Sequence, residues 1–513
     1  MVNPQLGPRS RSLISLLFLT LGSCALGCGE DGSTGSGSTS GGAGGSTGGS
    51  STTAGTGTAG ANLAGSAVGG MMGGTGSGGT SINTGGAGAS NGGSGGSAGS
   101  AGSGGGAQGG TGGGGNAKLV WPNETSFANS DPWLKEHHTE IREMHPRFLV
   151  LDYANTYTFD QVEKRFQQQR NAFMVGSTYH GYSDPNAKPF MYYELAKHVD
   201  LRDNSGAKNS AKMPRRETSP GRNTINFSAL FTKEYADLIG VKDPADASRN
   251  LTLCEAFQKG IFNDIFIAFT KDPPDDDVPE VIENKQKYDL KDVKKPGQFD
   301  RNAGNGAMSD EDYAAMTACG LSIRIDFLEM DGAFGNALQV SGHNFEHIGN
   351  RAVLHFDEMF KPFANFDLNK RFGTPFQDWY GECTGKGDKG CLTYPDQNSV
   401  TWGGTNTITP FNQACGNAHF PPNARGEYDQ QNTQVVLSTC EHYGLHDGPG
   451  GKDIQTPYSA STIDKWNTNE YGGRGVAGGA WYIYWWQSWP GLDNKATMPD
   501  GTPMKNWWVY LYY

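Results

Sequence analysis

One tract decides what this chain can fold into: residues 29–116, where nearly every residue is Gly, Ser, Thr, Ala or Asn. Such a tract has almost no apolar surface to bury, so burial cannot offset the conformational entropy lost on ordering. We predict a disordered tether there, with a root-mean-square span on the order of 50 Å. The residues after the tract, about 400 of them, are enough for one large domain or for two packed together as one globular unit.

The residues before the tract are typical of an export signal. Two arginines precede the apolar run of residues 13–21, which is too short to span a bilayer as a helix. Cys24 ends the string Leu-Gly-Ser-Cys and Cys28 ends Ala-Leu-Gly-Cys, and either string resembles a lipobox. We favour Cys24, which follows the apolar run directly; the alternative is an ordinary secretory peptide. Residues 1–28 are therefore interpreted as signal peptide and lipobox, which predicts an exported protein, lipid-anchored in the cell envelope at the outer membrane or cell surface.

Charge narrows the choice of partners. The formal net charge is −12, and no Lys/Arg-rich run offsets it. Because an acidic surface repels phosphate backbones, we expect no nucleic-acid partner. The expected partners are the membrane, through the N-terminal lipid, and a polysaccharide or peptide ligand.

Six cysteines lie beyond the tract, and an even number in an exported chain favours disulfides. Cys383 and Cys391 bracket a Gly/Lys/Asp loop and form the first predicted pair. Order along the chain gives two further pairs, Cys254 with Cys319 and Cys415 with Cys440. The alternative, a zinc site, lacks any close Cys-x-x-Cys spacing.

Hydrophobic patterning predicts an α/β core, a mixed sheet flanked by helices, over residues 117–372. Short apolar runs predict buried strands at residues 147–153, 263–269 and 321–327. Helical patterns cover residues 132–144, 158–173, 251–260 and 341–360. Beyond residue 372, Gly, Pro, Asn and Thr are frequent, so residues 373–513 are expected to be a loop-rich, disulfide-containing, aromatic-rich portion of the same unit.

The sharpest chemical motif is His343-Asn-Phe-Glu346-His347. On a helix the two histidines lie four residues apart on one face. The pattern H-x-x-E-H matches an inverted zincin motif, in which both histidines bind zinc and the glutamate activates water. Zinc is thus the predicted cofactor and Glu346 the predicted catalytic residue, with a third ligand from His419, Glu427 or Glu441. The alternative is a polar helix end where His343 pairs with Glu346.

Three other segments offer polar or aromatic groups. His419, Asn423 and Arg425 lie on a loop stiffened by two prolines, and His180 and Asp184 lie on a Tyr-rich loop. These are pocket candidates, the alternative being surface loops that pack over the core. Residues 480–489 and 506–513 alternate aromatic side chains; we interpret them as two core-closing strands, with a glycan-binding face as the alternative.

Strings at residues 179–185 (YHGYSDP), 260–267, 342–346 (GHNFE), 416–423 (GNAHFPPN) and 506–508 resemble an uncharacterised family of exported bacterial proteins, from about residue 148 onward. The resemblance implies an exported recurrent unit and no particular activity. Two hypotheses follow: a metal-dependent hydrolase that acts on extracellular polymer, or a non-catalytic glycan-binding or adhesion domain.

Overall fold

The computed structural model describes residues 119–272, 281–292, 296–301, 303–304, 308–373, 391–402, 405–475 and 478–513. All of them belong to one compact unit, Gly115–Tyr513. Cys24, Cys28, Cys383 and the predicted tether lie outside the described residues. Within the described ranges, no helix is both long and apolar enough to cross a membrane.

The strands are β1 (Leu119–Trp121), β2 (Ile141–Met144), β3 (Arg147–Asp152), β4 (Glu194–Asp200), β5 (Arg215–Ser219), β6 (Arg222–Ile225), β7 (Lys242–Asp243), β8 (Asp246–Asn250), β9 (Asp264–Phe269), β10 (Val281–Glu283), β11 (Lys285–Asp289), β12 (Pro296–Asp300), β13 (Arg324–Glu329), β14 (Val353–Leu354), β15 (Leu392–Thr393), β16 (Val400–Trp402), β17 (Asn406–Ile408), β18 (Val436–Ser438) and β19 (Thr456–Tyr458). The α-helices are α1 (Pro132–Glu136), α2 (Phe159–Gly176), α3 (Phe227–Leu230), α4 (Lys233–Ile239), α5 (Leu253–Gln258), α6 (Asp310–Thr317), α7 (Phe334–His347), α8 (Asp357–Phe363), α9 (Leu368–Phe372) and α10 (Ala480–Gln487).

A mixed five-stranded sheet, in the order β10-β13-β9-β3-β4, forms the centre of the unit. β13, β9, β3 and β4 run parallel, and β10 pairs antiparallel with β13. Alternate residues of the inner strands enter two different cores: Phe148 and Val150 face one, Leu149 and Leu151 the other. A sheet buried on both faces explains why these strands read as continuous apolar runs, and the predicted mixed sheet flanked by helices is confirmed.

Helix α2, which connects the parallel strands β3 and β4, lies close to where the sequence predicts it. Thr158 caps α2 through a capping box with Gln161, which satisfies orphan amide groups at the helix N-terminus. Val162, Phe166 and Phe173 then lie on the buried side of the helix and join the first core. The predicted strands at 147–153, 263–269 and 321–327 correspond to β3, β9 and β13.

Two predicted helices are wrong in extent. Residues 132–144 divide into the short helix α1 and the strand β2, because β2 pairs with β1 and its ends are buried in the core. Residues 341–360 contain the end of α7, a π-helical turn at Ile348–Ala352, the strand β14 and the start of α8. Tertiary pairing of β14 with β11 outweighs the local helical pattern there.

Two disulfides are confirmed. Cys254 pairs with Cys319 and Cys415 pairs with Cys440, with Cα–Cα separations of 5.0 and 4.1 Å. Cys391 is also disulfide-bonded. Its predicted partner Cys383 lies outside the described residues, so that pairing stays a prediction.

The aromatic end of the chain is buried, as predicted, but it is not made of strands. Residues 480–489 begin as the helix α10, and Trp507–Tyr512 form a 3-10 helix. Trp485, Trp486, Trp507 and Trp508 are at most 1% exposed, so the interpretation of this segment as a glycan-binding face is wrong. An all-round buried helix has no polar face, and hence no 3.6-residue periodicity by which the sequence would reveal it.

Candidate functional site

The site begins on one face of α7. Gln339, His343 and Glu346 are spaced four and three residues apart, which places them in successive turns on the same side of the helix. Gly342 allows this face to approach α10, because a side chain there would meet the Tyr482 ring at 3.3 Å. Gly342 therefore permits the close contact between α7 and α10, and the next residue, His343, supplies a side chain of the site.

The second half of the site is the loop that carries His419. The Asn417 side chain accepts hydrogen bonds from the amides of His419 and Phe420, at 3.0 and 3.1 Å, and so closes a turn. Gly416 has a φ of +88°, and an added Cβ would lie 2.2 Å from the carbonyl oxygen of Phe420. Only glycine satisfies both conditions, so the loop has little freedom at its start.

Helix α10 holds this loop by its backbone. The Trp485 indole donates to the carbonyl of Gly416 at 3.0 Å, and the Trp481 indole donates to that of Asn417 at 3.1 Å. The Tyr482 hydroxyl donates to the carbonyl of Ala418 at 3.1 Å. Three successive carbonyls of an irregular loop thus find their partners on one buried aromatic helix, which fixes the position of His419.

The two halves meet through a pair of imidazoles. His343 Nδ1 lies 2.9 Å from Glu346 Oε2, and His419 Nδ1 lies 2.8 Å from Glu427 Oε1. The remaining ring nitrogens, His343 Nε2 and His419 Nε2, lie 2.9 Å apart. Each histidine is therefore oriented by its own carboxylate, and the two Nε2 edges point at one another.

Two further side chains complete a ring of four polar atoms, which we call the His343–His419 ring. Gln339 Nε2 lies 2.9 Å from both His343 Nε2 and Tyr428 Oη. Tyr428 Oη lies 3.1 Å from His419 Nε2. Gln339 and Tyr428 are half-buried, whereas both histidines are at most 5% exposed.

Burial and neighbouring polar groups shift the pKa values of Glu346 and His419. Burial opposes ionisation of Glu346, but hydrogen bonds from His343 and the Ala418 amide outweigh it, and the pKa of Glu346 lies below its ordinary value. Burial lowers the pKa of His419 more than the hydrogen bond with Glu427 raises it. Tyr428 has a left-handed backbone, with φ of +59°, a conformation that costs free energy in non-glycine residues and clusters at functional sites.

The predicted site residues divide into three groups. His343, Glu346, His419 and Glu427 come together as described. His347 lies half-buried in the last turn of α7 and is not part of the ring, and Glu441 lies elsewhere, accepting from the Tyr484 hydroxyl at 3.1 Å. Within the described ranges, no group of three or more His, Cys, Asp or Glu side chains is arranged to hold a metal ion.

The other pocket candidates serve the loops around the site. Asn423 donates to the carbonyls of Asn432 and Gln434, and Arg425 forms an ion pair with Asp429 at 2.7 Å. His180 lies stacked on Tyr179 in a left-handed backbone conformation, and burial lowers its pKa to about 4. Asp184 is exposed and lines a separate cavity.

Sequence reasoning missed Gln339, and it named Tyr428 only as one polar residue of the His419 loop, without its contact with the histidine. Gln339 lies one turn before His343, so helical spacing alone would have found it. Tyr428 lies nine residues after His419 and reaches the ring because its amide donates to the carbonyl of His419 at 2.7 Å, a contact that no sequence pattern announces.

A second group of perturbed carboxylates lies on the opposite side of α7, where Asn344 faces inward. Burial raises the pKa of Asp264 to about 6 and that of Asp326 to about 7, against the opposing effect of Arg324. Arg324 Nη2 lies 2.6 Å from Asp264 Oδ2, and all three groups are at most 4% exposed. We interpret this cluster as part of the packing beneath α7, because all three of its charged groups are buried.

Comparisons with protein-family models, with curated proteins and with solved structures found no significant match. The function therefore has to be argued from the site itself.

Proposed function

We propose that this chain is an exported, surface-tethered hydrolase that uses a metal ion held by His343 and His419 and acts on extracellular polymer. The observation that carries the proposal is the 2.9 Å separation of the two Nε2 atoms, combined with a carboxylate on each Nδ1. Carboxylates on the outer nitrogens are the usual environment of histidines that bind a metal.

The argument for a cation is electrostatic. A Nδ1 that donates its proton to a carboxylate leaves the Nε2 of a neutral imidazole as an acceptor. Two such acceptors 2.9 Å apart can be stabilised by one cation bound to both, or by donors such as Gln339 and Tyr428. Two nitrogens bound tetrahedrally to one zinc ion at bond lengths of about 2.0–2.1 Å are roughly 3.3–3.4 Å apart, so the two rings would need to separate by a few tenths of an ångström from the observed 2.9 Å to become ligands of one ion.

The donor set also suits a borderline metal. Imidazole nitrogen is a ligand for zinc and its neighbours rather than for calcium or magnesium, whereas the Gln339 Nε2 that faces the ring is a hydrogen-bond donor and not a ligand. When bound, zinc supplies a Lewis acid that polarises a carbonyl and activates water at neutral pH. His343 and His419 would hold the ion, Glu346 and Glu427 would orient them, and the half-buried Tyr428 would face the substrate.

Glu346 has a different role here from the one its motif indicates. Its Oε2 is bonded to His343 and its Oε1 accepts from the Ala418 amide at 2.6 Å. A carboxylate with both oxygens engaged is a positioning group, and it links α7 to the His419 loop. The extracellular polymer substrate is inferred from the predicted signal and tether.

The test is metal analysis of the purified protein by inductively coupled plasma mass spectrometry. We expect bound zinc or a related ion in the native chain and its loss in His343→Ala and His419→Ala. His442→Ala is the matched control, because His442 is also a histidine paired with a carboxylate, Asp447 at 2.7 Å, but lies outside the ring. Hydrolysis of ester, peptide and polysaccharide substrates should stop in a chelator and return with zinc. A metal-free native protein whose thermal unfolding is unchanged by added zinc would refute the proposal.

A metal-independent acid–base enzyme is the second candidate. Gln339 can donate to His343 Nε2 and Tyr428 can donate to His419 Nε2, at 2.9 and 3.1 Å, so the ring also has a consistent set of hydrogen bonds without a metal. In that case the imidazoles themselves would exchange protons with the substrate. Activity that persists in a chelator and is lost in His343→Ala would favour this candidate over the first.

A further inference from the structure

Three buried side chains of different chemistry meet beside α7: Glu283 at the end of β10, Lys285 at the start of β11 and Asn344 on α7 itself. Their exposed fractions are 2%, 0% and 1%. Glu283 Oε1 lies 4.0 Å from Lys285 Nζ, and Glu283 Oε2 accepts a hydrogen bond from Asn344 Nδ2 at 2.5 Å. One buried carboxylate therefore contacts both a primary amine and a primary amide.

The environment of Lys285 favours the neutral, nucleophilic amine. Burial lowers the pKa of Lys285 to about 8, although the negative charge of Glu283 opposes that shift. The ammonium also donates to the carbonyl of Leu511 at 3.1 Å. A buried lysine beside a carboxylate can pass its proton to that carboxylate, and its nitrogen then has a lone pair with which to attack.

The Asn344 amide is held in an orientation that suits an electrophile. Its Oδ1 accepts a hydrogen bond from Arg324 Nη1 at 3.4 Å, and its Nδ2 donates to Glu283. The guanidinium is fixed in turn by its ion pair with Asp264, at 2.6 Å. A positive charge at the carbonyl oxygen stabilises the negative charge that develops there during attack, and a carboxyl group at the nitrogen can protonate it as it leaves.

We propose that Lys285 and Asn344 form an intramolecular isopeptide bond, with Glu283 as the catalytic residue. The Lys285 ammonium passes a proton to Glu283, its flexible side chain turns from Leu511 toward the amide, and the neutral amine attacks Asn344 Cγ. Glu283 gives its proton to the amide nitrogen and takes up one proton from the attacking nitrogen. The bond between Cγ and Nδ2 breaks, ammonia leaves, and a secondary amide joins Nζ to Cγ. Glu283 ends protonated, so hydrogen and charge balance without an oxidant or a cofactor.

The bond fixes α7 to β11 covalently, at the residue that follows His343. A covalent link between distant positions restricts the unfolded chain as a disulfide does, and so adds stability. The link also explains why a lysine and a glutamate are buried 4.0 Å apart, because an ion pair of such poor geometry is costly to bury. The proposal does not depend on metal binding or on catalysis at the His343–His419 ring.

The experiment is peptide mapping by tandem mass spectrometry of the full chain, purified in the folded state, then reduced and digested with trypsin. An isopeptide bond blocks cleavage after Lys285 and joins the peptide of residues 272–287 to that of residues 325–351. The mass of the linked species is lower than the sum of the two peptides by one ammonia. We expect this species in the native chain. Separate peptides with an unmodified Lys285 and an unmodified Asn344 would overturn the proposal, whatever the variants do.

Variants separate the roles of the three side chains. Lys285→Arg and Asn344→Ala remove the two reacting groups and should give no linked species. Glu283→Gln keeps the shape of the side chain and should slow formation of the link by about tenfold or more. Lys287→Arg is the matched control, because Lys287 is another lysine of β11 that pairs with a carboxylate, and it should leave the link intact. His343→Ala should also keep the link, which distinguishes this proposal from the metal site. A link that forms as fast in Glu283→Gln as in the native chain would contradict the role of Glu283.

Discussion

Two neighbouring tryptophans allow the energetic contribution of the hydrogen bond from Trp485 to the His419 loop to be separated from that of core packing. Trp485 and Trp486 are both fully buried on α10. Trp485 Nε1 donates to the carbonyl of Gly416, whereas Trp486 Nε1 has no hydrogen-bond partner among the described residues. Replacing either by Phe removes the same atoms from a packed interior, but only Trp485→Phe leaves a buried carbonyl without its donor.

The expected difference follows from that one carbonyl. An unpaired buried acceptor costs about 1–3 kcal/mol, so Trp485→Phe should lower the free energy of unfolding by that much more than Trp486→Phe. The cavity contribution is similar in the two variants and largely cancels in the comparison. Trp486→Phe also removes an unpaired donor, which can only widen the difference.

The assay is equilibrium unfolding in urea, followed by tryptophan fluorescence and by circular dichroism, with the slopes compared between variants. Amide hydrogen exchange at Ala418 and His419 should accelerate in Trp485→Phe and stay near native in Trp486→Phe. Equal unfolding free energies for the two variants would refute the claim that α10 holds the loop by hydrogen bonds, and would leave packing as the whole of its contribution.

Three further outcomes are expected. Gly416→Ala should lower the free energy of unfolding in urea by at least about 2 kcal/mol, because its Cβ would meet the Phe420 carbonyl. Gly221 also has a positive φ, +76°, but nothing lies within 4 Å of an added Cβ. Gly221→Ala therefore has backbone strain without a steric clash and should lower the free energy of unfolding by less. Replacing both Cys415 and Cys440 by Ala should cost about 3 kcal/mol and loosen the His419 loop in hydrogen exchange, while the same change at Cys254 and Cys319 should leave that loop near native. His138 is buried, and burial is the main reason why its pKa is lowered from 6.5 to about 3. The stability that the neutral ring contributes is therefore present above pH 6.5 and is lost as pH falls toward 3, by about 1.4 kcal/mol per pH unit. The free energy of unfolding of His138→Gln should depend less steeply on pH in that window, and a variant as steep as the native protein would contradict this.

The sheet was predictable because its strands are buried on both faces. Runs such as residues 147–153 have no polar interruption, and the capping residue Thr158 marks the next helix in the sequence itself. The predicted helix boundaries were wrong where a strand pairs with a segment that is distant in sequence. β2 and β14 each occupy part of a predicted helix, because each pairs with another strand. Local propensity carries no information about such neighbours.

The site was predictable in its first half only. His343 and Glu346 lie on one helix, so their spacing in the sequence predicted that they are in contact. His419 was proposed as a third ligand because imidazole suits zinc. The motif favoured His347, which helical geometry places near His343 but the fold leaves outside the ring. Tyr428 was out of reach, since it depends on a left-handed residue in a loop whose path is set by α10.

The hydrogen bonds from α10 to the His419 loop also determine at which point of chain synthesis the site can form. The donors on Trp481, Tyr482 and Trp485 follow the carbonyls they bind by 64, 64 and 69 residues. A growing chain that has passed His419 but not yet reached α10 therefore has both imidazoles but none of these three donors. The arrangement of His343 and His419 is therefore completed late in synthesis, and a chain that ends before α10 lacks these three hydrogen bonds even when its sheet has folded.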